Sequence, residues 1–297
     1  KETPGASLVA ATPCTAGDTI VNVGQSLATA VSSAAAGATI CLKSGIHRAT
    51  QTAVPKAGQT IRGEAGAILR GSIDITSGWT ASGAVFTKHV VLPNTPTQTM
   101  PAGLTCEDDV NNPCIYAEDI FVNGTQPKRV GTAGAVTAGS YYVAYPGGNA
   151  IDITLGALGT TIEVASTPSA INMNQADVTV ANLVVEQFAS PANNGAIIVN
   201  ANATNAKIHD MEIRNNHASG IKHYAAGSLI TNNHSHHNGQ MGIFTSGGDG
   251  STFNHNELDH NNIDWFLTTD CAAGGIKISS DNVTVNFNKV HDNYNRG

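Results

Sequence analysis

Five segments in the second half of the chain share one nine-residue pattern. They read VANLVVEQF at 180–188, IHDMEIRNN at 208–216, ITNNHSHHN at 230–238, FNHNELDHN at 253–261 and VNFNKVHDN at 285–293. Their starting points lie 28, 22, 23 and 32 residues apart. Recurrence at such spacings is typical of a repeat architecture, in which each unit buries its apolar face against the next.

The spacing of the apolar residues indicates which repeat architecture is present. They occur in groups of two or three separated by polar turns, so no 3.6-residue period persists and a helical solenoid is excluded. At ~3.3 Å per residue, a unit of about 22 residues closes a circuit of at most ~70 Å. That length suits a filled, three-sided coil. The repeat therefore predicts an all-β fold, a parallel β-helix built as a three-sided solenoid.

The register of the repeat predicts which side chains lie inside the coils. The first and sixth positions are nearly always apolar, and asparagine recurs at the fourth and ninth positions. Stacked asparagine amides can hydrogen-bond from one coil to the next. The interior residues predicted in this way are Val180, Val185, Ile208, Ile213, Ile230, Phe253, Leu258, Val285 and Val290.

The remainder of the chain is predicted to divide into two parts. Residues 1–78 form an N-terminal cap and the first coils, with a short helix at 26–35 that covers the open end of the stack. Residues 79–166 interrupt the repeat and are predicted to form an inserted β-rich subdomain. Residues 167–297 then hold the remaining coils.

Composition argues against two classes of partner. Charged residues make up 12% of the chain and the net charge is −7, whereas nucleic-acid binding needs a clustered basic face. No run approaches the ~18 apolar residues of a membrane span. We therefore expect neither nucleic acid nor membrane as a partner.

The cysteines indicate an oxidising compartment. Of the five, Cys14 is expected to bond to Cys41 and Cys106 to Cys114, which leaves Cys271 as a free thiol. The opening Lys1-Glu-Thr-Pro-Gly reads as a mature N-terminus after processing. These features predict a secreted, extracellular protein.

Several stretches resemble the pectin-lyase-like superfamily of right-handed parallel β-helices. DTIVNVGQSLATAV at 18–31 and AGATICLKSGIHR at 36–48 resemble its N-terminal cap and first coil. EDIFVNG at 118–124, GSYYVAY at 139–145, HNGQMGI at 237–243 and AGGIKI at 273–278 are similar to secreted bacterial β-helix proteins of poorly defined function. In that narrower group an acidic residue precedes AGG, where this chain has Ala272.

The resemblance implies a right-handed coil and a protein that acts on polysaccharide. Its members include pectate and alginate lyases, polygalacturonases, uronan epimerases and tailspike hydrolases. The Asp-Pro-His-Asp signature of the epimerases is absent, and so is the Asn-Thr-Asp, Asp-Asp and Gly-His-Gly set of the polygalacturonases. None of the mapped active sites carries over residue by residue, and fold alone does not give function.

The seventh and eighth positions of the repeat supply the candidate catalytic residues. Side chains one coil apart lie about 5 Å from each other, so columns of His and Asp can transfer protons near neutral pH. The alternative is an ordinary solvated face, although nine of the eleven histidines lie between His209 and His291. The candidates are His236, His237, Asp259, His260, His291 and Asp292, together with Lys277, expected near the last two.

Further residues are candidates for binding substrate. An exposed tryptophan in the loop after Asn261 offers a flat apolar face to a sugar ring, unless it packs as the core of its own loop. Lys222 is either a ligand for substrate or a surface lysine lying over the coil. The substrate-binding candidates are Arg214, Lys222, His223, Asp264, Trp265 and Arg296.

Two metal sites are also conceivable from the residue types. His237, His260 and Asp292 stack on three coils, and two imidazoles with a carboxylate suit Zn²⁺ or Cu²⁺. Glu107, Asp108 and Asp109 offer oxygen ligands to Ca²⁺, or are three solvated acids.

The sequence therefore predicts an extracellular protein that acts on polysaccharide, as a lyase or hydrolase of a long, uronic-acid-containing glycan along the β-helix flank. The alternatives are a non-catalytic carbohydrate-binding or structural solenoid, and a metal-binding β-helix. Residues 293–297 repeat the step that earlier opens a new coil. We accordingly expect further sequence, or a second chain, to cover the last coil.

Overall fold

Three parallel sheets wind around one core, as the repeat predicted. The structure is a computed structural model that describes residues 11–96, 100–108, 114–268 and 273–294. The three sheets, A, B and C, have eight, seven and five strands. Each coil contributes one strand to a sheet, and successive coils pair in parallel.

Sheet A holds the first positions of the repeat. Its strands pair in the predicted register, so that Val180 lies beside Ile208, Ile208 beside Ile230, and Ile230 beside Phe253. The strands in spatial order are Thr19–Val21, Thr39–Leu42, Thr60–Gly63, Thr179–Ala181, Lys207–His209, Leu229–Thr231, Thr252–Asn254 and Thr284–Asn286.

Sheet B holds the sixth and seventh positions. The sixth-position column runs from Val185 through Ile213 to Ser235 and Leu258. The strands in spatial order are Gly45–Arg48, Ala67–Arg70, Val184–Glu186, Glu212–Arg214, His234–His236, Glu257–Asp259 and Lys289–His291.

Sheet C closes the third side of the coil. It contains the Gly-Ile steps that follow three of the repeats, and Ile221 pairs with Ile243, which pairs with Ile276. The strands in spatial order are Ile171–Met173, Gly195–Val199, Ser219–His223, Met241–Thr245 and Gly274–Lys277.

Most of the predicted interior residues are buried. Val290 is partly buried, whereas Val285 is 49% exposed because it lies in the outermost coil that the structure describes. The predicted interior residues with no exposed surface are Val180, Val185, Ile208, Ile213, Ile230, Phe253 and Leu258.

Two asparagine ladders run along the core and confirm the predicted columns. Asn238 Nδ2 donates to Asn261 Oδ1 at 3.0 Å, and the same link joins Asn216 to Asn238 at 2.9 Å. Each amide also donates to a backbone carbonyl, as Asn238 does to Ile213. The ladders satisfy polar groups that would be costly to bury unpaired.

The N-terminal end carries the predicted helix. It spans Leu27–Ser33, with Ser26 as N-cap accepting from the Thr29 amide at 3.2 Å. Leu27 and Val31 are buried against the core. Among the described residues, no helix has the length and hydrophobicity to cross a membrane.

Residues between sheets B and C of an early coil build a second core on the flank. Their buried apolar cluster includes Ile120, Tyr141, Ile153 and Val164. One sheet contains Ser72–Asp74, Ile162–Ala165 and Ile120–Val122, and a second contains Thr80–Ser82, Val85–Val91, Ala150–Leu155, Ser140–Gly147 and Lys128–Arg129, with a 3₁₀ turn at Ala133–Ala135.

Two disulfides form as predicted. Cys14 bonds to Cys41 with 5.7 Å between Cα atoms, and Cys106 bonds to Cys114 with 5.5 Å. The second bridge closes a loop whose strand Leu104–Cys106 pairs with Phe266–Thr268. Cys271 lies outside the described residues.

Candidate functional site

Three consecutive coils present nine polar side chains on the outer face of sheet B. Each coil contributes two outward residues of its strand and the turn residue that follows. The strand register places the three coils directly over one another. We call this surface the histidine grid, and its three rows are His234, His236 and His237; Glu257, Asp259 and His260; and Lys289, His291 and Asp292.

The backbone conformation explains why the turn residues of the grid are polar. His237, His260 and Asp292 have φ values of 52°, 51° and 51°, and Asn215 has 54° in an earlier coil. Asn, Asp and His tolerate this left-handed region better than other side chains with a Cβ. The turn column is therefore polar because the coil bends there, and contacts are needed to identify its histidines as functional.

Asp259 lies at the centre of the grid and binds two imidazoles. Its Oδ1 is 2.6 Å from His234 Nε2, and its Oδ2 is 2.6 Å from His260 Nδ1. Burial opposes ionisation of Asp259, but the hydrogen bonds from His260 and His234 outweigh it and lower its pKa. The ionised carboxylate orients the His260 ring through its contact with Nδ1.

The histidines of the first row lie against one another. His236 Nδ1 and His237 Nδ1 are 2.8 Å apart, and the His234 and His236 rings stack at 4.1 Å. The His237 ring stacks on His260 at 4.9 Å. Burial, followed by the charges of His236 and His260, lowers the pKa of His237.

The third row combines an ammonium group, an imidazole and a carboxylate. His291 Nδ1 lies 2.7 Å from Asp292 Oδ2, and its Nε2 lies 3.1 Å from Glu257 Oε1. The hydrogen bond with Asp292 and then that with Glu257 raise the pKa of His291. Lys289 Nζ lies 2.5 Å from the same Glu257 oxygen.

The earlier coils of sheet B carry charges that are paired within the protein. Arg70 Nη2 lies 2.5 Å from Glu186, and Arg214 Nε lies 2.9 Å from the same carboxylate. Arg214 also binds Glu212 at 2.5 Å. These pairs line a groove of about 390 Å³ that continues from the grid, and its walls are Arg70, Gly124, Glu186, Gln187, Arg214, Asn215, His236 and His237.

Trp265 forms an aromatic platform in the loop that follows the second row of the grid. Its φ is 57°, in the left-handed region that a bulky residue rarely adopts. Trp265 and Tyr294 are each 39% exposed, and their rings lie 5.2 Å apart. The Trp265 amide donates to the Asn262 carbonyl and the Tyr294 amide to the Asn261 carbonyl, which anchors the platform to residues just after His260.

Two clefts open beside the platform. One of about 310 Å³ lies among Glu107, Asp108, Lys128 and Trp265. The other, of about 390 Å³, is lined by Gln126, Pro127, Lys128, Arg129, Ile263, Asp264 and Trp265.

Behind the platform lies an ionic network that we call the buried junction, formed by Asp119, Arg129, Tyr141, His217 and Asp264. His217 Nδ1 lies 3.0 Å from Asp119 and 3.1 Å from Asp264, and its Nε2 lies 2.8 Å from the Cys114 carbonyl. Tyr141 donates to Asp119 at 3.1 Å. The junction thus ties the coil to the flanking core, to the disulfide loop and to the Trp265 loop.

The charges of the junction are strongly coupled. Burial lowers the pKa of His217, but Asp119 and Asp264 outweigh it and raise the pKa to about 10. The single Nδ1–H is donated to Asp119, which leaves Asp264 Oδ2 buried without a hydrogen bond. Burial and then the charge of Asp119 raise the pKa of Asp264.

Gly239 permits the junction to close. A Cβ atom at this position would lie 1.7 Å from the His217 carbonyl oxygen and 2.2 Å from Asp264 Oδ2. No side chain fits between these groups. The glycine of the HNGQMGI stretch is therefore required for the approach of the Trp265 loop to the coil.

Comparison with known proteins identifies the fold. Residues 166–297 match the family model described as a right handed beta helix region. The structure of XylC with xylose matches with a TM-score of 0.75 at 17% identity, over 90% of this chain and 55% of that one. The protein is a right-handed parallel β-helix.

Other matches are more distant. A pectin methylesterase mutant in complex with a hexasaccharide gives a TM-score of 0.36 at 15% identity, over 88% of this chain and 56% of that one. This β-helix spans about half the length of both matched structures. No curated protein sequence matches the chain.

Three of the sequence-based candidates belong to strands of sheet C. Lys277 belongs to sheet C, where its Nζ lies 5.3 Å from the centre of the Phe244 ring; a place beside His291 and Asp292 stays a prediction. Lys222 is 4% exposed and its Nζ lies 3.2 Å from the centre of the Phe244 ring. His223 faces the core of the β-helix, where burial lowers its pKa to about 4.

The acidic candidates for Ca²⁺ are not part of a described metal cluster. Within the described residues, three groups of three possible ligands lie close together: Cys14, Asp18 and Cys41, whose cysteines are bonded to each other; Asp119, His217 and Asp264; and Glu257, Asp259 and His291. Glu107 and Asp108 belong to none of them; Asp109 and Arg296 lie outside the described residues.

The buried junction escaped the sequence analysis. Asp119 and Tyr141 lie within EDIFVNG and GSYYVAY, stretches noted only for their resemblance to other β-helices. His217 immediately follows the ladder residue Asn216, so its position in the sequence resembles that of a turn residue. The signal available was the presence of ionisable residues in an otherwise apolar strand context, as at Asp119-Ile120-Phe121.

Proposed function

We propose that this β-helix binds and hydrolyses an extracellular polysaccharide that lies across the histidine grid and against Trp265. The observation that carries the proposal is the exposed Trp265–Tyr294 platform anchored directly after His260. Aromatic faces of this kind stack on sugar rings. An unfavourable backbone conformation that keeps a bulky ring exposed is typical of a functional position.

The grid supplies the acid–base chemistry of the proposal. Hydrolysis of a glycosidic bond needs a proton donor at the leaving oxygen and a base for water. His260, oriented by Asp259 at 2.6 Å, is our candidate for proton transfer. The His237 ring stacks on His260 at 4.9 Å and holds the imidazole in this position beside the groove.

The charge of the face favours hydrolysis of a neutral glycan over uronate elimination. A lyase needs a cation that offsets the substrate carboxylate. In the described part of sheet B, Arg70 and Arg214 are paired with Glu186, and Lys289 is paired with Glu257. An incoming uronate would compete with these acids for the same cations.

An extracellular setting is consistent with this role. Two disulfides are most stable in an oxidising compartment. A polymer outside the cell is also the kind of substrate that an elongated flank can follow, since the groove beside the grid crosses several coils about 4.8 Å apart.

A panel of glycans tests the proposal. The full chain is incubated with xylan, arabinan, glucans, pectate and alginate; pentose polymers are included because the XylC complex contains xylose. We expect new reducing ends from a neutral glycan without an unsaturated product. An unsaturated product absorbing in the near ultraviolet would identify a lyase, binding without products would identify a carbohydrate-binding solenoid, and neither binding nor products would overturn the proposal.

A matched pair of variants tests the assignment of His260. His260→Asn keeps a residue that tolerates the left-handed turn and removes the imidazole, so turnover should fall by about 100-fold or more. His255→Asn is the control, because His255 has φ 54° on the other turn of the same coil. Equal activities of the two variants would exclude His260 as the proton-transfer group.

A further inference from the structure

The histidine grid has a second capacity that does not depend on the glycan proposal. Its nine side chains include five imidazoles, three carboxylates and one ammonium group. With neutral imidazoles, the surface therefore carries two negative charges. Imidazole is a preferred ligand of late first-row transition metals, and such a charge attracts a divalent cation.

His236 and His237 supply the most specific geometry within the grid. Their Nδ1 atoms lie 2.8 Å apart, although the residues are adjacent in sequence. Adjacent residues of a regular strand point to opposite faces, and the left-handed conformation of His237, with φ 52°, brings the two rings together. In the metal-free protein, one of the two nitrogens must carry the proton that the other accepts.

A metal ion can replace that shared proton. Two nitrogens 2.8 Å apart subtend about 90° at an ion with metal–nitrogen bonds of ~2.0 Å. That angle belongs to neighbouring positions of a square-planar or octahedral ion, whereas tetrahedral Zn²⁺ requires wider separation. Tetragonal nitrogen sites suit Cu²⁺ and Ni²⁺.

The neighbouring side chains hold this pair in place. The His236 ring stacks on His234 at 4.1 Å, and the His237 ring stacks on His260 at 4.9 Å. Asp259 fixes His234 and His260 by hydrogen bonds of 2.6 Å each. His236 itself places Nε2 3.3 Å from Glu212 Oε1, and a carboxylate that orients a ligating imidazole in this way strengthens metal binding.

A competing ligand set exists one and two coils further on. Ligand atoms of Glu257, Asp259 and His291 lie within 4.8 Å of one another. The Lys289 ammonium, however, lies 2.5 Å from Glu257 and opposes a second cation there. The paired nitrogens of the first row have no such neighbour in contact among the described residues.

We propose that the histidine grid binds one Cu²⁺ or Ni²⁺ ion, with His236 Nδ1 and His237 Nδ1 as the chelating pair. Water and other grid side chains complete the coordination. The ion is bound from solution as a divalent cation, and the proposal includes no redox step.

Direct titration of the tag-free full chain with Cu²⁺, Ni²⁺ and Zn²⁺ tests this site. We expect one Cu²⁺ per chain, an electron paramagnetic resonance spectrum with two nitrogen ligands, and tighter binding of Ni²⁺ than of Zn²⁺. His236→Ala and His237→Asn should each weaken Cu²⁺ binding by about tenfold or more. His255→Asn and His89→Ala, both outside the grid, should leave it unchanged.

Three results would overturn the proposal: no binding above that of a His236→Ala/His237→Asn double variant, a spectrum with oxygen ligands alone, or a loss of affinity in His291→Ala that exceeds the loss in His237→Asn. Thermal unfolding without metal shows that the variants are folded. The readout is the binding of the ion itself, so a failure of glycan hydrolysis leaves this test unaffected.

Discussion

The buried junction and the histidine grid use the same side chains in opposite environments. At the junction, two carboxylates surround one imidazole that is 1% exposed, and the pKa of His217 rises to about 10. At the grid, the imidazoles face solvent and one another, and the pKa of His237 is lowered. The first arrangement fixes one proton in place and joins segments. The second leaves its imidazole rings partly exposed to solvent.

The largest contrast between the two regions is expected in stability. His217→Ala removes the imidazolium between Asp119 and Asp264 and leaves Arg129, 3.4 Å from Asp119, as the cation near them; the loss should cost about 3–5 kcal/mol of unfolding free energy. His291→Ala removes a partly exposed partner of Glu257 and should cost less than about 1 kcal/mol. Denaturant unfolding of both variants measures the difference, and similar losses would mean that the junction does not hold the fold together.

The pH dependence of stability should also come from the junction. The pKa of His217 rises from 6.5 to about 10 on folding, so the folded state retains a proton that the unfolded state loses in this interval. This contribution is complete below pH 6.5 and is lost as the pH rises to about 10, by a total on the order of 5 kcal/mol. Between pH 6.5 and 10, the free energy of unfolding should fall more steeply with pH for the wild type than for His217→Gln. Parallel profiles would contradict the assignment.

Periodicity carries the fold of this protein but not its junction. The spacing of Val180, Ile208, Ile230 and Phe253 specifies the parallel register, because each coil repeats the same apolar positions and the structure pairs them directly. The junction combines Asp119 with His217, 98 residues away, and no local pattern encodes that distance. Long-range ionic contacts depend on how the flanking core docks, which a repeat does not describe.

The grid was predictable in part, because the register of the repeat stacks its residues. Columns of His and Asp follow from the register, so His236, Asp259 and His260 were recognisable as neighbours. A place for Lys277 beside His291 and Asp292 does not follow from the register, because Lys277 follows a Gly-Ile step and lies in sheet C rather than in sheet B. Histidine recurs in the turns partly because it tolerates the left-handed backbone conformation found there. His255 and His260 share that conformation, so only their contacts distinguish them.

A smaller effect should follow from filling the space at Gly239. Gly239→Ala places a methyl group 2.2 Å from Asp264 Oδ2 and nearer still to the His217 carbonyl, so the Trp265 loop must move. We expect a loss of about 1–3 kcal/mol in unfolding free energy and a shift in tryptophan fluorescence. Gly134→Ala is the control, because a methyl group there meets nothing within 4 Å. Wild-type stability of Gly239→Ala would show that the loop closes over the coil less tightly than described.

The smallest change in stability is expected for Trp265→Gly. This substitution should also separate the effect on stability from the effect on glycan binding. Its left-handed backbone at φ 57° is unfavourable for a side chain with a Cβ by roughly 1–2 kcal/mol, a cost that glycine avoids. Trp265→Gly also removes the ring contact with Tyr294, so the two effects should offset each other to within about 1 kcal/mol. Glycan affinity should nevertheless fall by about tenfold or more, equivalent to ~1.4 kcal/mol, because the stacking face is lost. Calorimetric melting and binding of the same glycan are measured on one preparation of each protein. If Trp265→Gly bound as tightly as the wild type, the platform would be excluded as a sugar site, whereas a large loss of stability would show that Trp265 is part of the loop core.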